Sequence, residues 1–343
     1  MGEPMTDQGE ILVTGGSGYI GSWCIARLLN DGWRVRTTIR NLAREAEVRR
    51  ALATVAPAQD RLSFFAADLI RDEGWAAAAR GCRYLLHVAS PLGVENPRDP
   101  DVLVRPARDG AVRAISAAIT AGVERVVITS SVAAMRVKTP NGPIDESNWT
   151  DTGDKGSTAY DLSKTLAEQA AWQLIREKGG ATTLAAVNPV VVLGPVMGSD
   201  FSASVQVVSR LMRGQMPGIP NLGFTYVDVR DVADLHLRAM VSPQAAGERF
   251  IAASEFLWMG EVAEILRAHF GPRAAKVPKR RIPDFVVRGI ALFDRPLASV
   301  LSALSNRSEY SGAKARRVLD WKPRPAREAI IDCAESLLEK GLL

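Results

Sequence analysis

Residues 10–21 read Glu10-Ile11-Leu12-Val13-Thr14-Gly15-Gly16-Ser17-Gly18-Tyr19-Ile20-Gly21. The apolar run from Ile11 to Thr14 has the length of a buried strand. Gly15 to Gly18 supplies a turn, Tyr19 to Asn30 carries a helical pattern, and Gly32 closes it before a second strand from Arg34 to Ile39. A glycine run that follows a strand and opens a helix is the context a dinucleotide cradle requires. Gly15 permits the tight turn, Gly18 lets the backbone approach a pyrophosphate, and Gly21 lets the helix lie close to the strand. Ser17, Tyr19 and Ile20 belong to the same cradle, with phosphate charge at the helix N-terminus.

Outward from this unit, apolar runs bounded by turn residues alternate with longer helical patterns. Further strands are expected at Leu62 to Ala66, Tyr84 to Val88, Arg125 to Thr129 and Thr182 to Asn188. The alternation predicts an α/β fold, a doubly wound parallel sheet of the Rossmann type. After Pro189 the pattern loosens, and glycine and proline become frequent from Gly194 to Gly223. The expected division is a dinucleotide-binding domain over residues 1–190, to which 224–253 returns. A smaller, mainly helical substrate lobe takes 191–223 and 254–343.

The chain has 343 residues, of which 47% are hydrophobic and 24% charged, enough apolar material for a covered sheet and too much for disorder. Cys24, Cys82 and Cys333 are odd in number and far apart, which fits reduced thiols and implies neither a disulfide frame nor a metal site. The start of the chain has no apolar leader and no run reaches membrane-span length, so a cytoplasmic protein without membrane attachment is expected. The net charge of +5 and the basic cluster from Lys276 to Arg281 raise nucleic acid as a partner. Few aromatics and the absence of a nucleic-acid motif argue against it. A basic surface also attracts an anionic cofactor.

Where an NAD site carries an acidic residue after its second strand, this chain has Arg40, followed by Arg44. Guanidinium groups match phosphate geometry, so Arg40 points to the 2'-phosphate of NADP(H). Arg44 either joins it or belongs to a solvated helix face. Further on, Tyr160 and Lys164 are spaced to share a helix face, downstream of Ser130-Ser131. A phenol is a poor proton relay at neutral pH unless a positive charge stabilises the phenolate, and Lys164 would provide one. Ser131, Tyr160 and Lys164 are therefore the candidate catalytic set. Ser131 orients a carbonyl, Tyr160 gives the proton, and Lys164 lowers the phenol pKa and holds ribose hydroxyls.

With these motifs in place the chain resembles the extended short-chain dehydrogenase/reductases, in the branch of dihydroflavonol reductases and aldehyde or ketone reductases. The resemblance rests on Tyr160 to Trp172, on His87-Val88-Ala89-Ser90-Pro91, on Asp145-Glu146-Ser147 with Trp149, and on Asn188 to Pro195. It implies that Asp68 and Leu69 flank the adenine, that Ala89 and Ser90 lie on the ribose side, and that Pro189, Val190 and Val192 face the nicotinamide. It also assigns the catalytic role to Ser131 and not Ser130. The residues alone leave Asp68 open as a helix cap and Val190 and Val192 as core. His87 and His236 read as hydrogen-bonded core histidines.

Substrate class follows from departures. The plant cinnamoyl-CoA reductases of this family carry Asn-Trp before the tyrosine and Cys-Tyr-Gly after it, where this chain has Thr158-Ala159 and Asp161-Leu162-Ser163. Arg136 stands where flavonoid reductases place an asparagine. A CoA thioester and a flavonoid are thus disfavoured, and a smaller aldehyde or ketone is expected. Leu92, Met135, Phe201, Ser204, Met216, Phe224 and Tyr226 are candidate pocket residues because they follow strand ends or lie in the loose region. The alternatives are an NAD-dependent nucleotide-sugar epimerase or dehydratase and a non-catalytic NADP-binding regulator. Monomer and homodimer are both open.

Overall fold

A computed structural model describes residues 9–58, 60–91, 97, 99–138, 142–198, 202–293, 297–298 and 301–343. Seven strands form the main sheet: β1 (Glu10–Thr14), β2 (Arg34–Ile39), β3 (Leu62–Ala66), β4 (Cys82–His87), β5 (Arg125–Thr129), β6 (Thr183–Pro189) and β9 (Arg249–Ala252). They lie in the order β3-β2-β1-β4-β5-β6-β9, and every pairing is parallel. This is a doubly wound Rossmann sheet. Its order reverses between β1 and β4, where the carboxyl ends of the strands open a crevice for a ligand.

Alternation along each strand sends side chains to two layers. Ile11 and Val13 join one apolar cluster with Leu86, Val127, Ala185 and Val187, whereas Leu12 joins another with Leu85, Val126, Ile128 and Leu184. The first cluster is covered by α1 (Tyr19–Asn30) and α7 (Val229–Val241). The second is covered by α4 (Asp101–Thr120) and α5 (Ala159–Lys178), whose small residues Ala107, Ala111, Ala167 and Ala171 let the two helices and the sheet approach closely. Gly110 of α4 belongs to the same close packing, since a Cβ there would lie 2.6 Å from Leu69.

The region after Pro189 is less purely helical than its composition implies. β7 (Val191–Leu193), β8 (Gly223–Asp228) and β10 (Glu255–Trp258) build a second sheet in the order β10-β8-β7, with β8 antiparallel to β10. These strands are three to six residues long and flanked by glycine and proline, so their periodicity is too brief to register. The helix Ala326–Glu339 packs on this sheet. Ahead of it, the fully enclosed Trp321 donates its indole N–H to the Asp231 carbonyl of α7 at 2.9 Å.

All three cysteines are buried and unpaired. Among the described residues no helix is long and apolar enough to cross a membrane, and no group of His, Cys, Asp and Glu could hold a metal ion.

Candidate active site

The cradle forms as its glycines dictate. Gly15 has φ +74°, and a Cβ on it would sit 2.9 Å from the Ala89 backbone. On Gly21 a Cβ would fall 2.3 Å from the Gly15 carbonyl oxygen, so glycine there is what lets the first turn of α1 fold over the loop. Gly18 caps α1 with extended backbone and no side-chain bond, which leaves first-turn N–H groups to an anion. Tyr19 is buried, and its hydroxyl donates to the Gly194 carbonyl at 2.7 Å, tying the cradle to the end of β7.

Thr14 joins β1 to β4 at the crevice. Its hydroxyl accepts from the Val88 and Ala89 N–H groups at 3.1 and 3.0 Å, which leaves its own proton for His87 Nδ1, 3.0 Å away. Burial, followed by the nearby Lys164 charge, pushes the His87 pKa down to about 3, so this is a neutral, structural histidine. His236 is similar. Its Nδ1 donates to the Val232 carbonyl, its Nε2 accepts from Thr129, and burial lowers its pKa to about 4.

Arg40 is exposed at the end of β2 and has no protein partner among the described residues. Arg44 is engaged, donating through two nitrogens to Glu47 at 3.0 and 2.9 Å. Of the two, Arg40 is the guanidinium available to a phosphate. Asp68 is half-buried and accepts from the Ile70 N–H at 3.2 Å, which closes a turn and caps no helix, since the next helix starts at Trp75 with Gly74 before it. Ala89 and Ser90 are half-buried beside His87, whereas Val190 and Val192 are 8% and 7% exposed and belong to the core.

The catalytic candidates converge on the N-terminal half of α5. Ser131 follows β5 with extended backbone, and its hydroxyl accepts from the Ala133 N–H at 3.1 Å. The Ser131 hydroxyl is near enough to the Tyr160 phenol to favour its phenolate. Burial is the larger influence and raises the phenol pKa above its ordinary value; Lys164 is not among the groups lowering it. The expected depression by Lys164 is therefore missing from the chain alone. Lys164 Nζ lies 6.0 Å from the Tyr160 ring centroid and makes no hydrogen bond to its hydroxyl. Lys164 is 7% exposed, and burial pulls its pKa down to about 8. It makes no hydrogen bond among the described residues. A small cavity lined by His87, Ala89, Ser90, Ser130, Lys164 and Glu168 adjoins it. A buried ammonium without an acceptor beside an open cradle fits ribose hydroxyls, so these residues suit a dinucleotide.

Ser130 points elsewhere, its hydroxyl donating to the fully buried Glu168. Glu168 and its partner Arg249 carried no role in the sequence reading, although Glu168 lies four positions after Lys164 and so shares its helix face. Asn188 was read only as part of a motif; its amide donates to Glu168 at 2.8 Å and to the Ser131 carbonyl at 3.3 Å.

The departure at residues 158–161 has a structural reason that the Thr-x-x-Asp spacing could have revealed. Thr158 and Asp161 form a reciprocal capping box at the start of α5, at 3.1 and 2.9 Å, and Arg136 pairs with the same carboxylate at 3.2 Å. Of the pocket candidates, Ser204, Met216 and Phe224 are half-buried. Tyr226 is 4% exposed, and Met135 is fully enclosed. Met135 follows the Ser131 turn with its side chain directed into the core, so it packs there and does not line a pocket. Leu92 and Phe201 lie outside the described residues.

A sequence profile of the NAD dependent epimerase/dehydratase family matches residues 11–253. Cinnamoyl-CoA reductase 2 of Arabidopsis thaliana is 38% identical over 78% of this chain and 79% of its own length. Cinnamoyl-CoA reductase 1 of Petunia hybrida is 36% identical over 97% of this chain and 93% of its own. Among solved structures, the yeast methylglyoxal/isovaleraldehyde reductase Gre2 complexed with NADPH superposes with a TM-score of 0.82 at 26% identity. That match covers 97% of this chain and all of the yeast chain.

Proposed function

The chain belongs to the NAD dependent epimerase/dehydratase family, within the extended short-chain dehydrogenase/reductases, and from that premise we propose that it is an NADPH-dependent reductase converting an aldehyde or ketone carbonyl to an alcohol. The observation that carries this reading is the convergence of Ser131, Tyr160 and the unpartnered ammonium of Lys164 beside an uncapped glycine cradle. The names of the relatives support reduction, and Arg40 in place of an acidic residue supports the phosphorylated cofactor over the NAD of an epimerase.

The cofactor, when bound, supplies the hydride. The residues of this chain do the rest. The α1 first turn and Gly15–Gly21 hold the pyrophosphate, Arg40 holds the 2'-phosphate, and Lys164 donates to ribose hydroxyls. The Ser131 hydroxyl donates to the carbonyl oxygen and orients it. Tyr160, a phenol that is protonated at neutral pH and whose pKa burial raises further, delivers its proton to that oxygen as negative charge develops there.

A second reading, an aromatic acyl-CoA as substrate, is favoured by the relatives named cinnamoyl-CoA reductase. Against it stands the 158–163 segment, here built as the Thr158–Asp161 cap. Tyr160→Phe tests the mechanism. It should retain NADPH affinity and lose about 10²–10⁴-fold in kcat, the usual contribution of a positioned general acid. A kcat near that of the parent would remove Tyr160 from the reaction.

A further inference from the structure

We propose that Glu168 and Arg249 are positioning residues that fix the Ser130–Ser131 turn, and that Glu168, which lines the same small cavity as Lys164, supplies the counter-charge of that lysine. The inference rests on the reductase reading above and concerns the same site. Glu168 is fully buried on α5 and Arg249 is 8% exposed at the start of β9, an edge strand of the main sheet. Arg249 Nε donates to Glu168 Oε1 at 2.7 Å and Nη2 to Oε2 at 3.3 Å. The same carboxylate accepts from the Ser130 hydroxyl, from Asn188 Nδ2 at 2.8 Å and from Trp172 Nε1 at 3.2 Å. Ser130 precedes Ser131 in the chain, and Asn188 also donates to the Ser131 carbonyl at 3.3 Å. One carboxylate thus holds the turn that presents Ser131 from two directions.

The outer end of the clamp gives a use to the Asp145-Glu146-Ser147-Asn148-Trp149 segment. Arg249 Nη1 donates to the Glu146 and Asn148 carbonyls at 2.9 and 2.8 Å, and its guanidinium lies 3.7 Å from the Trp149 ring centroid. The Glu146 carboxylate accepts from the Ile251 N–H at 2.9 Å, pinning the segment to β9. The loop that leads into α5 and the interior of α5 are therefore locked to the same strand through one guanidinium. Breaking a buried pair on one side leaves a strong uncompensated charge, so such a pair is better suited to fixing an arrangement than to adding stability.

The electrostatic part follows from what surrounds Lys164. Tyr160 and Glu168 face it from α5, and His87, kept neutral, faces it from β4. Arg249, from β9, meets Glu168 behind it. Glu168 is the one group that holds the Lys164 pKa up against burial. Removing its charge lowers that pKa, and a lysine that must be protonated to hold ribose then fails at a lower pH.

The test compares the full-length parent with Glu168→Gln and Glu168→Asp, each checked by circular dichroism and thermal melting. NADPH affinity from pH 6 to 10, followed by protein fluorescence, is measured beside kcat for a carbonyl that the parent reduces. In Glu168→Gln the pH above which NADPH binding weakens should move down by about one unit. Glu168→Asp keeps the charge but loses the reach. It should leave that pH in place while kcat falls about tenfold or more through misplacement of Ser131. A purely structural pair would lower the melting temperature and move neither quantity. Parental pH dependence in Glu168→Gln together with parental kcat in Glu168→Asp would overturn the proposal. If one variant does not fold, the other decides it. A parent that binds no NADPH would instead remove the reductase reading and this inference with it.

Discussion

At the scale of single residues, the site is built by burying groups that prefer water and choosing which receive partners. His87 and His236 are satisfied as neutral imidazoles by Thr14, Thr129 and the Val232 carbonyl, and Glu168 is satisfied by four side chains. Lys164 is also buried, at 7% exposure, and receives no acceptor among the described residues, which is the observation behind the ribose-holding role proposed for it. The histidines have a consequence for stability. Their folded pKa values of about 3 and about 4 lie below the ordinary value of 6.5, so between pH 6.5 and 4 the unfolded chain takes up protons that the folded chain refuses. Stability therefore falls as the pH drops through that window. Denaturant unfolding at pH 7 and pH 5 should show this loss in the parent, and His236→Gln should show less of it. An unchanged pH slope in the variant would mean that His236 titrates normally in the folded chain.

At the scale of elements, the β1–turn–α1 unit depends on backbone approach more than on any side chain. A methyl group on Gly21 would meet the Gly15 carbonyl at 2.3 Å, a contact that only displacement of the turn can relieve. Gly21→Ala should cost about 1–3 kcal/mol of stability, the range for overpacking a rigid site. It should weaken NADPH binding more than it alters the rest of the fold, as calorimetric titration beside thermal melting would show. Parental affinity in that variant would mean that the turn is not the phosphate cradle. This unit was legible in the sequence because its glycines and its strand and helix periods are local. Tyr160 and Lys164 were legible for the same reason, their spacing being one helical turn. Glu168 with Arg249 was not, since the partners lie 81 positions apart and only the placement of β9 beside β6 joins them. The enclosure of Met135 and the pairing of Arg44 with Glu47 were equally hidden, because a residue type does not state which way its side chain turns.

At the scale of the whole molecule, the crossover order of the sheet brings the β1 and β2 ends, the Ser131 turn and the N-terminal half of α5 to one edge. Beyond Pro189 the chain closes back on that body through Tyr19 with Gly194, and the C-terminal segment docks on α7 through Trp321 and the Arg324 guanidinium, both with Asp231. The glycine cradle and the residues proposed as proton donor and carbonyl holder, Tyr160 and Ser131, are thus fixed in one frame, an arrangement suited to the proposed hydride transfer. The measurement that bears most directly on this account is consumption of NADPH by the purified chain, followed by its near-ultraviolet absorbance. The panel would comprise aromatic aldehydes, α-diketones, β-ketoesters and cinnamoyl-CoA, with NADH run in parallel. The account predicts turnover of at least one aldehyde or ketone and a preference for NADPH that Arg40 explains. Tight binding of NAD with no net consumption of either reduced cofactor would contradict it and return the chain to the epimerase reading.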